Sequence, residues 1–319
     1  MASHNPIAVV FGSAPTGNRE PWISEDYLNQ TFATLEAHKV KKLDTAQLYG
    51  NSEQRLGELK AGDRFVIDTK WTGGWVPGSA NKESIVSSAK ESLRKLGVEQ
   101  VDIFYIHSPD AQTPLEETLE AVNEVYKTGA FKRFGLSNFP ADEVQKAYDI
   151  AKAHGWVLPT VYQGNYNPVA RKQETVLFPT LRKLGIAFYA YSPLAGGFLT
   201  KTVQQVREGA GRFTDNPIGK IYVDLYARPS LLDALEKWAQ IAEDEGVSRA
   251  ELAYRWVASN SPLKPEYGDA IIVGASSVQQ LDQTLGGIEK GGLSDKASRA
   301  IDEIWEQVKH EAPLDNFSK

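Results

Sequence analysis

The chain has 319 residues, 41% hydrophobic and 24% charged, which suits two ordinary domains or one large barrel and excludes a disordered chain. Its 35 basic and 41 acidic residues leave a net charge of −6 with no basic stripe, which argues against a nucleic-acid partner. The absence of cysteine excludes disulfides, thiolate metal sites and a cysteine nucleophile, and fits a reducing compartment.

The N-terminus, MASHNPIAVVFG, lacks a charged start followed by a long apolar segment, and no run of about 18 apolar residues occurs. The expectation is a cytoplasmic protein with no membrane partner. Eight short apolar runs follow as candidate strands: IAVVF (7–11), KKLDTA (41–46), RFVIDTK (64–70), VDIFYIH (101–107), FKRFGLSN (131–138), VYQGNYN (161–167), GIAFYAYS (185–192) and DAIIVGAS (269–276). After the first stands FGSAPTGNRE, where a doubly wound nucleotide-binding sheet would carry G-x-G-x-x-G. Between later runs come KESIVSSAKESLRKLG, PLEETLEAVNEVYKTG and ADEVQKAYDIAKAHG, helical by their apolar spacing, with Gly97, Gly129 and Gly155 as C-terminal caps. This alternation predicts an α/β fold, a (β/α)8 TIM barrel forming a single domain over 1–319, with a doubly wound sheet as the weaker alternative. The longest irregular stretch, 194–230, lies between the seventh strand and its helix. Phe198, Phe213, Tyr222 and Tyr226 give it apolar anchors, so it reads as a lid that orders over a ligand.

In such a barrel the catalytic groups sit at the carboxyl ends of the strands. The second strand ends at Asp44 with Tyr49 just beyond, the third at Lys70 and the fourth at His107. Taken singly, Asp44 could bond turn amides, Tyr49 could pack, Lys70 could snorkel and His107 could be a hydrogen-bonded core residue. On one rim they suit proton transfer to a carbonyl oxygen: Tyr49 as acid base with its phenol pKa lowered by Lys70, Asp44 holding Lys70, and neutral His107 orienting the carbonyl. One His and one Asp without further paired ligands do not make a metal site.

No side chain delivers a hydride, so a cofactor is required. Ser137, Asn138 and Gln163 end the fifth and sixth strands, where they can bond a carboxamide, and Tyr191 can stack on a flat ring. Ser192, Pro193, Leu194 and Gly196 of SPLAGG offer close backbone approach to a pyrophosphate, and Lys201 is counted with them. Gly274, Ala275, Ser276, Ser277 and Gln280 run from the eighth strand into a helix N-terminus, a natural phosphate site.

In order along the chain, LDTAQLYGNSE, DTKW, FYIHSPD, GLSN, YQGNYN and YAYSPLAGG resemble the signature segments of the aldo-keto reductases. The resemblance covers nearly the whole length and implies the (β/α)8 barrel, a tetrad of Asp44, Tyr49, Lys70 and His107, NADPH/NADP as cofactor and a small-molecule carbonyl substrate. TPLEETL, LPTVYQGNYN, ETVLFPTLR, FYAYSPLAGGFLT, GRF and HEAP are most similar to the branch containing aflatoxin-aldehyde and succinic-semialdehyde reductases, which implies that Arg212 contacts the cofactor. The departures from that branch are Thr284 for an adenine-side asparagine, Val223 and Leu225 for lid arginines, and NFSK where a C-terminal arginine stands. Gln280 occupies a position often arginine in other aldo-keto reductases. A carboxylate-bearing aldehyde then lacks a cation unless Lys220 or Lys319 supplies one. Trp71, Trp75, Tyr222 and Tyr226 are the expected apolar walls, and neutral aromatic or extended apolar carbonyls the expected substrates. The rival reading is a cofactor-binding regulatory subunit with slow turnover. A barrel hydrolase is weaker, since no clear second acid stands beside Asp44. A homo-oligomer is compatible with the sequence.

Overall fold

The eight apolar runs form eight parallel strands: β1 (Ala8–Gly12), β2 (Lys42–Asp44), β3 (Val66–Trp71), β4 (Val101–Ile106), β5 (Phe131–Ser137), β6 (Pro159–Asn165), β7 (Ala187–Tyr191) and β8 (Ala270–Val273). They close in chain order, with β8 pairing back onto β1, into a (β/α)8 barrel. The computed structural model describes residues 6–317; Lys319, weighed above as a cation, lies outside them.

The strands read as unbroken apolar runs because both faces are covered. In β4, Ile103 and Tyr105 belong to the cluster that fills the barrel with Val10, Val161, Tyr189 and Ile272, while Phe104 and Ile106 belong to the larger core under the helices. Alternation along a strand thus serves two cores. Phe104 stacks on Phe131 with centroids 5.5 Å apart, and truncating such a ring to alanine costs about 3–5 kcal/mol.

The covering helices up to β7 are α1 (Glu25–Ala37), α2 (Ser52–Glu58), α3 (Lys82–Leu96), α4 (Leu115–Lys127), α5 (Ala141–His154), α6 (Gln173–Val176) and α7 (Phe178–Leu184). In α3 the buried residues Ile85, Ala89, Ser92 and Leu96 form one stripe, Asn81 caps the start by accepting the Ser84 amide, and Gly97 ends it at φ 66°. Gly155 ends α5 in the same way, whereas Gly129 lies one residue past the Thr128 cap of α4.

The stretch 194–230 is not irregular. It holds a 3-10 turn at Ala195–Thr200, α8 (Val203–Arg207), a 3-10 turn at Gly211–Phe213, α9 (Pro217–Tyr226) and the first residues of α10 (Pro229–Glu245). Short helices with Gly and Pro at their ends carry too few turns to show a clear period in the sequence. Then come α11 (Arg249–Arg255), α12 (Val278–Glu289) and α13 (Asp295–Val308). Among the described residues no helix is long and apolar enough to cross a membrane.

Candidate active site

Asp44, Tyr49, Lys70 and His107 meet at the carboxyl mouth of the barrel. Lys70, wholly buried, donates to Asp44 Oδ2 at 2.6 Å and to the Thr45 carbonyl at 2.9 Å. Its ammonium lies 5.0 Å from the centroid of the Tyr49 ring, and that ring meets His107 edge-on at 5.9 Å. Burial opposes the Lys70 charge, but Asp44 and Tyr49 outweigh it and hold the ammonium above its ordinary value. Burial and the Lys70 charge together push His107 well below the usual imidazole value, so the ring is neutral.

The phenol of Tyr49 departs from expectation. Burial pushes it above the ordinary tyrosine value, and Lys70 offsets only part of that rise, with Asp44 reinforcing it. A neighbouring ammonium was expected to win, but desolvation of a would-be phenolate is the larger effect, although the residue is only half-buried at the mouth. Tyr49 therefore holds its proton firmly at neutral pH.

A ring of buried hydroxyls fixes Asp44 from behind. Ser13 donates to the Asp44 carbonyl at 2.8 Å, and Ser52 lies within hydrogen-bond reach of Ser13, Thr16 and Thr45 at 3.1, 2.9 and 2.8 Å. Gly17 passes so close to the Tyr49 loop that an added Cβ would stand 1.7 Å from the Tyr49 carbonyl oxygen. The segment FGSAPTGN, noted only for lacking a phosphate motif, thus holds the tetrad loop in place.

At the ends of β5 to β7 the polar groups are linked to the tetrad. Gln163 donates to Asp44 Oδ1 at 2.9 Å, a bond that the sequence did not disclose. Asn138 donates to the His107 carbonyl at 2.8 Å and to Ser137 Oγ at 3.1 Å, and accepts from the Tyr191 hydroxyl at 2.7 Å. Asn138, Ser192 and Ala195 have φ of 60°, 55° and 53°. Non-glycine residues rarely adopt that region, and such strain collects where a ligand is held. With Gly196 at φ 67° and Gly197 at φ 96°, the turn after Pro193 and Leu194 is closed by the Ala195 and Gly197 amides, which donate to the Ser192 and Leu194 carbonyls at 2.8 and 2.9 Å. An added Cβ at Gly196 would stand 2.2 Å from the Tyr222 ring, so only glycine fits there.

On the phosphate side, Lys201 reaches the Gly197 carbonyl at 3.5 Å, and Arg249 ties the loop down by donating to the Lys201 carbonyl at 2.9 Å. Arg212 is exposed and donates to the Tyr222 hydroxyl at 2.7 Å. Its charge also reaches Tyr254, whose hydroxyl donates to the Gly274 carbonyl at 2.8 Å, so Arg212 stands beside the strand end that carries Gly274 and Ala275. Ser277 caps α12 by accepting the Gln280 amide, and the Gln280 side chain accepts from the Ser276 amide at 3.1 Å. Those strained turns, the open face at Gly274 and two nearby cations fit a bound dinucleotide.

The apolar residues divide. Trp75, 40% exposed, meets His107 at 6.3 Å and Phe317 at 5.1 Å, both edge-on, and rims the mouth. Tyr222 is buried under the Gly196 turn. Trp71 packs in the outer core, and Tyr226 is enclosed, with its hydroxyl accepting from Asn165 and Asn167 at 3.0 and 3.2 Å. Both of the last two are buried. Val223 and Leu225 pack against the core.

One acid escaped the sequence reading. Asp68, inside the apolar run VIDTK, is the ladder partner of Asp44 and is wholly buried. It supplies a second carboxyl beside Asp44, wholly shut off from solvent. An acid placed inside an otherwise apolar strand was the signal.

The sequence matches the Aldo/keto reductase family over residues 8–306. It is 39% identical over 315 residues to the oxidoreductase sirO of Leptosphaeria maculans, covering 96% of this chain and 95% of that protein. It is 40% identical over 322 residues to human aflatoxin B1 aldehyde reductase member 2, covering 96% and 89%. With the aldo-keto reductase pigE of Monascus ruber the identity is 32% over 293 residues, with 86% of each chain covered.

Proposed function

Since the chain belongs to the aldo/keto reductase family of oxidoreductases, we propose that it reduces aldehydes or ketones to alcohols with NADPH, and that Tyr49 delivers the proton. The observation that carries this reading is the sealed Lys70–Asp44 pair beside a protonated Tyr49 and a neutral His107. A nicotinamide cofactor supplies the hydride when bound. Tyr49 gives its proton to the carbonyl oxygen, and the ammonium of Lys70 steadies the phenolate left behind. Asp44 keeps Lys70 in place, and His107 donates to the carbonyl and orients it. The raised phenol pKa suits this direction, because the donor is fully protonated before reaction.

Arg212, Lys201 and the Ser276–Ser277 end of α12 would hold the phosphates, with Asn138, Ser137, Gln163 and Tyr191 around the nicotinamide. Arg212→Ala is expected to weaken NADPH binding by roughly 1.5–3 kcal/mol, with a much smaller effect on NADH, if it meets the 2′-phosphate. Equal losses for both would move Arg212 off that phosphate.

Neutral aromatic or extended apolar carbonyls are the proposed substrates. Trp75 and Phe317 meet edge-on at the mouth, and Val223 and Leu225, which by resemblance replace the lid arginines of the succinic-semialdehyde branch, pack against the core and offer no cation to a carboxylate-bearing aldehyde. A panel that includes a nitrobenzaldehyde and succinic semialdehyde, followed by loss of NADPH absorbance, tests the whole reading. Higher kcat/KM for succinic semialdehyde would overturn the substrate class. No turnover of any carbonyl would favour a cofactor-binding regulatory protein.

A further inference from the structure

Below the tetrad, inside the barrel, lies a carboxyl group that carbonyl reduction does not require. Asp68 is paired with Asp44 across the β2–β3 ladder and shares its face of β3 with Lys70, two residues on. Two acids on neighbouring strands therefore point into one interior.

Their surroundings differ. Asp44 accepts from Lys70 on one oxygen and from Gln163 on the other. Asp68 Oδ1 accepts only the Ile103 amide, at 3.1 Å, and Oδ2 has no partner among the described residues. Lys42 of β2 and Arg133 of β5 attract it from the floor of the barrel, but both are bonded to Asp102 of β4. Asp44 and Asp102 repel it, and Tyr105 of β4, whose hydroxyl lies near Gln163, is held as a neutral phenol by burial and by Asp68. Tyr189 of β7 is occupied by Arg133, whose guanidinium donates to its hydroxyl at 3.3 Å. Lys70 turns to Asp44. A charge on Oδ2 would thus be buried without solvation, beside a like charge.

We propose that Asp68 is a positioning residue: it stands in the barrel as a neutral carboxylic acid and so leaves Asp44 as the one anion with which Lys70 pairs beside Tyr49. The electrostatics agree, since burial pushes the carboxyl up to about 8, with Lys42 opposing and Asp102 and Asp44 reinforcing the rise. Above that pH a second negative charge appears beneath the tetrad. The phenolate left when Tyr49 gives up its proton is then disfavoured, so reduction slows on the alkaline side before any titration of Tyr49 itself.

The inference rests on Tyr49 as proton donor for its kinetic part, but the protonation of Asp68 can be read without turnover. Infrared spectra of protein carrying isotope-labelled aspartate should show a protonated-carboxyl band at neutral pH that fades as pH rises through about 8 and is missing in Asp68→Asn. In the pH profile of kcat for carbonyl reduction, Asp68→Asn should remove the limb at about 8 and leave the one set by Tyr49, about two units or more higher. Asp68→Ala serves for both readouts if the amide variant does not fold. No such band in the wild-type protein, or the same band in the variant, would overturn the neutral acid. An alkaline limb left in place by the substitution would overturn the positioning role. If no carbonyl is turned over, the proposed function fails while the infrared titration still decides the state of Asp68.

Discussion

The barrel holds an ion cluster at each end, and the two are built on different plans. At the floor, Asp102 accepts from Lys42 at 2.7 Å and from Arg133 at 3.1 and 2.7 Å, with all three side chains partly open to solvent. At the mouth, Lys70 and Asp44 are 0% and 3% exposed and serve each other. Burial works against the Asp102 charge, yet Arg133 and Lys42 hold its carboxyl below the usual range. The mouth is held off balance, its phenol pushed up and its imidazole pushed down. Two cations and water around one anion make a plug. One cation shared by an acid and a phenol leaves a proton that can move.

The contrast is most easily broken at Tyr49. Tyr49→Phe keeps the ring and loses the proton, so kcat for carbonyl reduction should fall by about 10²–10⁴-fold with an unchanged circular dichroism spectrum. Single-turnover rates near wild type would show that the mouth does not work by proton transfer. The next effect is on stability. Lys70→Met leaves Asp44 buried without its cation and should cost about 3–5 kcal/mol in urea unfolding. Lys42→Met should cost nearer 1 kcal/mol, roughly the worth of a solvent-accessible pair, because Arg133 and water still serve Asp102. Equal losses would mean that the ends differ in appearance only.

Two histidines sharpen the contrast through the sign of their pH dependence. In the unfolded chain an imidazole takes up a proton below about 6.5, whereas folded His107 resists it. Its contribution is therefore present above that pH and lost as pH falls below it. His107→Gln should flatten the acid side of the stability curve in thermal melts; an unchanged slope would contradict the neutral ring. His38, on the outer wall, runs the other way. Burial opposes its charge, but Asp282 and Glu289, each 2.9 Å from one ring nitrogen, outweigh it and raise its value. That stabilisation is complete below about 6.5 and disappears as pH rises through the raised value. Both carboxylates are exposed, so the effect is under about 1 kcal/mol. The difference in melting temperature between wild type and His38→Gln should be larger at pH 6 than at pH 8.

The barrel was legible because strands covered on both faces and helices with one stripe leave strong, repeated patterns, as in VDIFYIH and KESIVSSAKESLRKLG. The rim groups were legible for a related reason: an ionisable residue that closes an apolar run, such as Lys70 or His107, stands out. What stayed hidden depends on contact between distant strands. The Gln163–Asp44 bond and the hydroxyl ring of Ser13, Thr16, Thr45 and Ser52 join residues whose neighbourhood exists only after closure. The helices of 194–230 were hidden by their shortness, and the direction of the Tyr49 shift by the depth of its hydroxyl, which no spacing encodes.

Closure itself bears on how the chain is made. Ala8 pairs with Ala270, so the last ladder joins residues about 260 positions apart. During synthesis the first seven strands leave the ribosome well before the eighth, with β1 and β7 each presenting an unpaired row of amides and carbonyls. Loop closure over that distance is slow compared with pairing of neighbours. A nascent chain stalled ahead of Ala270 is therefore an open sheet prone to pair with other copies, and release of the final strand is the step that ends that exposure.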